Sequence, residues 1–185
     1  NGSGGSTAYS DNVPVNAAVY INTAMADINS IDAHLAAAIA SAFSAQSSSD
    51  IDEVKTEIAS AVADASTISG LADGLGANVT AAVAEDAEDS NLAEGAAGVI
   101  ASAANISSWV NAAKATADND IASQTSASVA NIFAGKIFNE LSAARNGWDA
   151  NTDGSISSYK YRPANPREPR YSLAQTIFNG SLLVI

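Results

Sequence analysis

The chain has 185 residues, enough for one domain with its own core, and its hydrophobic fraction of 47% is largely alanine. It contains no cysteine, which excludes disulfides and thiolate metal sites, and its net charge of −12 argues against a general binder of nucleic acids or anionic membranes. No segment approaches the roughly 18 apolar residues that a transmembrane helix needs, so we expect no membrane insertion.

A flexible N-terminal segment, residues 1–12, is expected to precede the first helix, which Asp11 or Asn12 can cap. Asp32 interrupts the apolar stripe of this helix, and an edge position or a bend explains it more simply than a buried functional carboxylate. The helix is expected to end within residues 44–49. Apolar residues recur along it at spacings of three and four, as in an amphipathic helix: Ile21, Met25, Ile28, Leu35, Ile39, Ala42 and Phe43.

A second helix is expected to begin at Asp50, with Glu53 three residues later in a capping-box arrangement. Gly70, Gly74 and Gly76 are expected to break it. Its apolar residues follow a seven-residue repeat: Ile51, Val54, Ile58, Ala61, Ala65 and Ile68.

A third helical region spans residues 79–117, with a break near residues 89–95 where glycines begin. Its core residues are predicted to be Leu92, Val99, Ile100, Ile106, Trp109 and Val110. It also carries an acidic cluster, which is typical of a solvated face: Glu85, Asp86, Glu88 and Asp89.

A fourth helix is predicted from residue 118 to residue 145, where Asn146 and Gly147 are suited to end it. Its core side is predicted to hold Val129, Ile132, Phe133, Ile137, Phe138 and Leu141. The fold class is therefore mainly α, a bundle of about four long Ala-rich helices over residues 13–147. Residues 148–185 are expected to form a small irregular or β C-terminal extension that ends in a terminal strand.

The sharpest local motif lies at the start of this extension. Oxygen-bearing side chains stand at its first, third and fifth positions, glycine at the sixth and a carbonyl ligand at the seventh: Asp149, Asn151, Asp153, Gly154 and Ser155. The stretch resembles the first half of the calcium loops of EF-hand and dockerin-type modules. The resemblance implies a structural Ca²⁺ site at Asp149, Asn151, Asp153 and Ser155. Lys160 stands where those loops carry an acidic ligand, and an Asx-rich turn is the alternative interpretation.

The rest of the extension is basic and ends on apolar residues. Up to residue 135 the chain has 16 acids and 2 bases, whereas four bases lie close together in the extension: Lys160, Arg162, Arg167 and Arg170. An exposed apolar end would be an adhesive strand edge: Leu182, Leu183, Val184 and Ile185. These eight residues are predicted to mediate assembly, and the segment could equally dock on its own acidic bundle.

Catalytic chemistry has little support in the sequence. His34 is the only histidine, and we interpret it as a surface or half-buried side chain of the first helix. No nucleophile elbow or phosphate-binding glycine motif occurs, and no small-molecule substrate can be named. The sequons at Asn1, Asn78, Asn105 and Asn179 permit glycosylation in a secreted protein.

These features favour a non-enzymatic, structural, self-assembling protein. The expected role is a subunit of an extracellular filament, surface layer or virion, located outside the cell or on a cell or virion surface, with copies of itself as partners. A secreted helical binding or adhesion module is the alternative, and a carboxylate-based enzyme is a third possibility.

Overall fold

The computed structural model of the chain describes residues 15–88 and 90–150. Within these residues the chain is a mainly helical bundle without strands, as the sequence predicts for this region. The predicted irregular extension and terminal strand lie outside the described residues. The elements are α1 (Val15–Ser47), α2 (Ile51–Glu85), α3 (Ser90–Thr116), a π-helical turn (Ala117–Ile121) and α4 (Ala127–Ala150).

The helices divide into two compact units. Among the described residues, the first unit contains residues 15–28, 74–88 and 90–103 together with Ala150. The second unit contains residues 29–73 and 104–149. It therefore includes segments of all four helices, whereas helical segments of α1, α2 and α3 make up the first unit.

The buried residues of α1 and α2 alternate at spacings of four and three without interruption. This strict seven-residue repeat is the seam of a left-handed coiled coil, and alanine at many of its positions lets helix backbones approach closely. In α1 the seam consists of Ala17, Ile21, Ala24, Ile28, Ile31, Leu35, Ala38, Ala42 and Ala45. In α2 it consists of Val54, Ile58, Ala61, Ala65, Ile68, Ala72, Leu75, Val79 and Ala82.

The same seam runs along α3 and α4. In α3 it consists of Leu92, Ala96, Val99, Ala103, Ile106, Val110 and Ala113, followed by Ala117 of the π-helical turn, and in α4 of Ala130, Ala134, Ile137, Leu141, Ala144 and Trp148. The π-helical turn follows α3, and its Ala122 N–H bonds to the Ala117 carbonyl at 3.3 Å. The wider turn takes up one extra residue, so Ile121 stays buried although it follows Ala117 by four rather than three positions.

The predicted glycine break in the second helix is wrong. Helix α2 continues through Gly70, Gly74 and Gly76 to Glu85, and the chain turns at residues 86–88. A glycine inside a helix costs about 1 kcal/mol relative to alanine. The seam residues Leu75, Val79 and Ala82 are buried beyond the glycines, and their packing outweighs that cost.

Several large apolar residues predicted to form the core are exposed instead. Phe43, Ile100, Val129 and Ile132 all lie on outer surfaces, while neighbouring alanines fill the seam. In a seam with a 3.5-residue period, burial follows from position in the repeat. Side-chain size is therefore a poor guide to the core in these helices.

Both ends of α4 differ from the prediction. It begins at Ala127, because the residues from 117 to 121 form the π-helical turn, and it extends to Ala150 rather than ending at Asn146 and Gly147. The last turn of α4 is stabilised by Trp148, which is buried and whose indole N–H donates to Asp32 Oδ1 at 2.7 Å.

The connection between α1 and α2 follows the sequence closely. Helix α1 ends at Ser47, inside the predicted range, and the Asp52 N–H donates to Asp50 Oδ1 at 2.9 Å, so the predicted cap is confirmed. Glu53 differs from the capping-box expectation, because its carboxylate accepts a hydrogen bond from the Ser48 hydroxyl.

Candidate functional site

Within the second unit, polar pairs join each helix to two neighbours, so α1, α2, α3 and α4 form a closed antiparallel ring. Such pairs beside an apolar seam fix the register of the helices. The pairs are His34 with Asp64 at 2.7 Å, Ser69 with Ser107 at 2.8 Å, Thr116 with Glu140 at 3.2 Å, and Trp148 with Asp32 at 2.7 Å.

The two polar residues of α1 that the sequence singles out belong to this ring. His34 Nδ1 lies 2.7 Å from Asp64 Oδ1, and both side chains are partly exposed, as the surface interpretation of this histidine predicts. Asp32 is exposed at the edge of the seam and accepts the Trp148 indole N–H, while Ile31 fills the core. Both residues therefore have a structural role in holding helices together.

Asp27 is the carboxylate with a distinctive environment in the first unit. Burial raises the pKa of its carboxyl above the ordinary value of 3.8, and the hydrogen bond from Asn78, at 2.9 Å, acts in the opposite direction. Gly74 lies beside it, since a Cβ placed on this glycine would be 3.6 Å from Asp27 Oδ2. Among the described residues, no group of three or more His, Asp or Glu side chains could hold a metal ion.

The most unusual surface of the second unit is apolar. Phe43 of α1 and Ile132 of α4 are 56% and 71% exposed, and Val129, one turn before Ile132, is 40% exposed. The ring of Phe138 contacts that of Phe43, with centroids 5.8 Å apart. We call these four residues the α1–α4 apolar surface. Exposed apolar clusters of this kind mark interaction sites in soluble proteins.

Two close contacts fix the position of α4 against α1 beneath this surface. The Asn131 side-chain amide donates to the Ser48 carbonyl at 2.7 Å. Gly135 lies against Gln46, because a Cβ at this glycine would be 3.3 Å from Gln46 Oε1. A glycine at this point leaves room for the Gln46 side chain against α4.

The charge around this surface differs from that of the rest of the chain. Helices α1 and α2 carry eight acids and one base, whereas α4 carries two of each. Lys136 lies 3.8 Å from both Asp120 and Glu140, so the base next to Gly135 is itself paired. Helix α3 is also balanced, with one acid and one base, so two copies of this acidic chain would repel each other less along α3 and α4 than along α1 and α2.

Most of the sequence-predicted site lies outside the described residues. The backbone of Asp149 belongs to the last turn of α4, so the predicted cation loop begins while the helix is still continuous. The other predicted cation ligands are Asn151, Asp153 and Ser155, and they lie beyond the described part of the chain. The same holds for every predicted assembly residue: Lys160, Arg162, Arg167, Arg170, Leu182, Leu183, Val184 and Ile185.

The α1–α4 apolar surface was missed because its residues were assigned to the core. The signal that could have found it is the seven-residue repeat of α4, which runs through Ala130, Ala134 and Ile137 and leaves Val129 and Ile132 outside. Of the acidic cluster, Glu85 at the end of α2 and Glu88 in the following turn are exposed as predicted, whereas Asp86 is half-buried.

A search of the described residues finds no helix that combines the length and the apolar character needed to span a membrane. The chain matches no protein-family model, no curated protein and no solved structure.

Proposed function

We propose that this chain is a structural protein that self-associates through the α1–α4 apolar surface. The observation that carries the proposal is the exposure of Ile132 and Phe43 on adjacent helices, with the ring of Phe138 of α4 in contact with that of Phe43. Isolated exposed apolar residues are ordinary in soluble proteins. Exposing several of them on two adjacent helices is unfavourable in free energy, and burial against a partner surface removes this penalty.

A second copy of the chain is the partner that the charges favour. With a net charge of −12, two copies repel each other at most orientations. Helix α4 has equal numbers of acids and bases, so contact along it brings less like charge together than contact along α2 does. A two-fold arrangement would place the same apolar surface on both copies and bury it from each side.

The finer part of the proposal concerns the kind of assembly. A subunit of an extracellular filament, surface layer or virion agrees with Ala-rich helices in a continuous seam and with a calcium-type loop, which suits compartments where Ca²⁺ is millimolar. A secreted helical binding or adhesion module is the second candidate, because the same apolar surface could receive a different protein. The carboxylate-based enzyme has only Asp27 in its favour among the described residues.

Light scattering over a range of protein concentrations tests self-association. We expect the apparent mass of the wild-type chain to rise with concentration, and we expect Phe43→Ser with Ile132→Ser to hold it at the monomer mass. Both substitutions lie at exposed positions, so the helix content should not change. A wild-type chain that stays monomeric at every concentration would reject self-association and favour the binding module.

Val19→Ser is the matched control for this experiment. Val19 is 56% exposed, as is Phe43, but it belongs to the first unit. We expect this variant to associate as the wild type does. An equal loss of association in the control would mean that general surface hydrophobicity, rather than the α1–α4 apolar surface, drives the process.

The cation loop remains a prediction that a separate titration can test. Trp148 directly precedes Asp149, so binding at the loop should change tryptophan fluorescence or its lifetime. We expect Ca²⁺ to produce a saturable change that Asp153→Ala removes. Trp109 is retained in both chains and supplies the same background signal. A response that survives Asp153→Ala would assign Ca²⁺ to another place.

A further inference from the structure

We propose that Ile132 of one copy packs on the exposed alanines Ala36 and Ala40 of α1 in a second copy, in a two-fold dimer whose axis passes beside Phe43. The inference rests on the proposed function, because it names the part of the second copy that covers the α1–α4 apolar surface. Both alanines lie outside that surface as defined above, so they form an additional receiving surface on α1. A two-fold axis repeats every contact, and each dimer would therefore contain this one twice.

The contacts between α1 and α4 determine how far Ile132 lies from Phe43 along the helices. The ring of Phe138 of α4 contacts that of Phe43, and Asn131 donates to the Ser48 carbonyl at 2.7 Å. Ile132 directly follows Asn131, so it is nearly level with the end of α1. At a rise of about 1.5 Å per residue, Ile132 therefore lies roughly 6–7 Å from Phe43 toward that end.

The same face of α1 continues in the opposite direction from Phe43 with small side chains. Ala40 and Ala36 precede Phe43 by three and seven residues, which are spacings that keep residues on one face of a helix. Both alanines are exposed and lie about 4 and 10 Å from Phe43 along the helix axis. Ile132 and the alanines are thus at similar distances on opposite sides of Phe43. Rotation about an axis beside Phe43 brings Ile132 of each copy over the alanines of the other.

The side-chain sizes on the two parts of this surface are complementary. Among the described residues, Ile132 is the most exposed large apolar side chain. Val129 precedes it by three residues and lies farther from Phe43, as Ala36 does on the other side. Helices pack closely where large side chains of one enter spaces beside small side chains of the other. The large residues of α4 would therefore meet small residues of α1 in the second copy.

Charge permits this contact although the chain is acidic. Both acids of α1, Asp27 and Asp32, precede residue 33, and His34 is the only titratable side chain in residues 33–47. The exposed residues in the described part of α4 include two bases and no acid. Contact between these two surfaces therefore adds no pair of acids from the two copies.

A lysine placed among the alanines tests the contact by light scattering. Ala40→Lys makes the chain less negative and so weakens the general repulsion between copies, but its ammonium group would have to be desolvated in the proposed contact. We expect this variant to need at least about a tenfold higher concentration than the wild type for half-association. The control Ala63→Lys makes the same change of charge at an exposed position of α2 in the second unit. It should associate at least as readily as the wild type.

Disulfide formation tests the register directly, because the chain has no native cysteine. Chains with Ile132→Cys are mixed with chains with Ala40→Cys under mild oxidation. We expect the mixed disulfide dimer to form at least about fivefold faster than the dimer of two Ile132→Cys chains, since the two Ile132 positions would lie on opposite sides of the axis. Ala63→Cys in place of Ala40→Cys is the control and should remove this preference.

The outcomes separate this inference from the proposed function. A wild-type chain that stays monomeric rejects both. Association that Ala40→Lys leaves unchanged, or that Ala63→Lys reduces equally, would overturn the contact on α1 while self-association stands. Faster disulfide formation between two Ile132→Cys chains than in the mixture would also overturn it, because the axis would then pass beside Ile132.

Discussion

Two glycines of this chain have opposite environments although both lie inside helices. Gly147 carries the edge of the Trp109 ring directly above its Cα, and a Cβ placed there would be 2.5 Å from Trp109 Cη2. Gly70 has no atom within 4 Å of the same position. Glycine is therefore a packing requirement at Gly147, whereas at Gly70 it only lowers helix stability.

Substitution by alanine should separate these two roles. We expect Gly147→Ala to lower the free energy of unfolding by about 1–3 kcal/mol, because the Trp109 ring must move. The control, Gly70→Ala, should raise it by about 0.5–1 kcal/mol through helix propensity. Urea unfolding followed by circular dichroism measures both. A Gly147→Ala chain as stable as the wild type would mean that Trp109 does not pack on this glycine.

Asp27 is the residue where pH should act on the first unit. Burial raises the pKa of its carboxyl, so the folded state binds this proton more tightly than the unfolded chain does. Its contribution therefore favours folding below the ordinary pKa of 3.8, and it is lost as the pH rises through the folded-state value. The hydrogen bond from Asn78 can be kept by an uncharged side chain, because a carboxamide oxygen also accepts it.

We expect Asp27→Asn to be at least as stable as the wild type at pH 7, and to lose this advantage when both are compared near pH 3. Urea unfolding at the two pH values measures the difference. Asp73→Asn, at an exposed position of the same helix α2 that supplies Asn78, serves as the control. A destabilised Asp27→Asn chain at pH 7 would show that the ionised carboxylate is favourable in this environment.

At the scale of the elements, the period of burial explains what the sequence could predict. The existence and approximate number of helices follow from apolar spacing and capping, and the seam of α2 was predicted correctly from Val54 to Ile68. The core of α4 was predicted poorly because size was weighted above period, so Ile132 was placed inside and Ala134 was overlooked. The break at Gly70 was wrong because seam packing on both sides outweighs local propensity.

Other features depend on contacts between distant residues, which a local reading of the sequence does not contain. The π-helical turn adds one residue to the repeat, and Ile121 is buried in the seam as a result. The continuation of α4 through Gly147 and Trp148 depends on contacts with Trp109 and Asp32, which lie far from this segment in the chain. The same holds for the α1–α4 apolar surface, whose partners Phe43 and Phe138 meet only in the folded chain.

A size change at one seam alanine should reveal how tightly the helices are packed. Ala134 is fully buried in α4, and we expect Ala134→Leu to lower the free energy of unfolding by about 1–3 kcal/mol because the helices must separate. The control Ala143→Leu adds the same side chain at an exposed position of α4 and should change stability by less than about 0.5 kcal/mol. Thermal unfolding followed by circular dichroism compares the two. Equal stability of the two variants would contradict close packing at the seam.

At the scale of the whole molecule, net charge and apolar contact oppose each other. The chain carries a net charge of −12, which repels a second copy, while the contact proposed at the α1–α4 apolar surface would hold two copies together.

Raising NaCl from about 0.05 to 0.5 M should shift the monomer–assembly equilibrium toward assembly, because screening reduces repulsion between copies. Sedimentation velocity follows this shift. Weaker assembly at high salt would show that attraction between opposite charges, rather than apolar contact, joins the copies.

Hydroxyl-radical labelling of the wild-type chain tests the central claim, self-association through the α1–α4 apolar surface, without any substitution. Labelling is compared at two protein concentrations, one low enough for monomers and one about a hundredfold higher. We predict that modification of Phe43, Phe138 and Ile132 falls at the higher concentration while that of Val19 stays constant. Equal labelling of all four residues at both concentrations would contradict the claim.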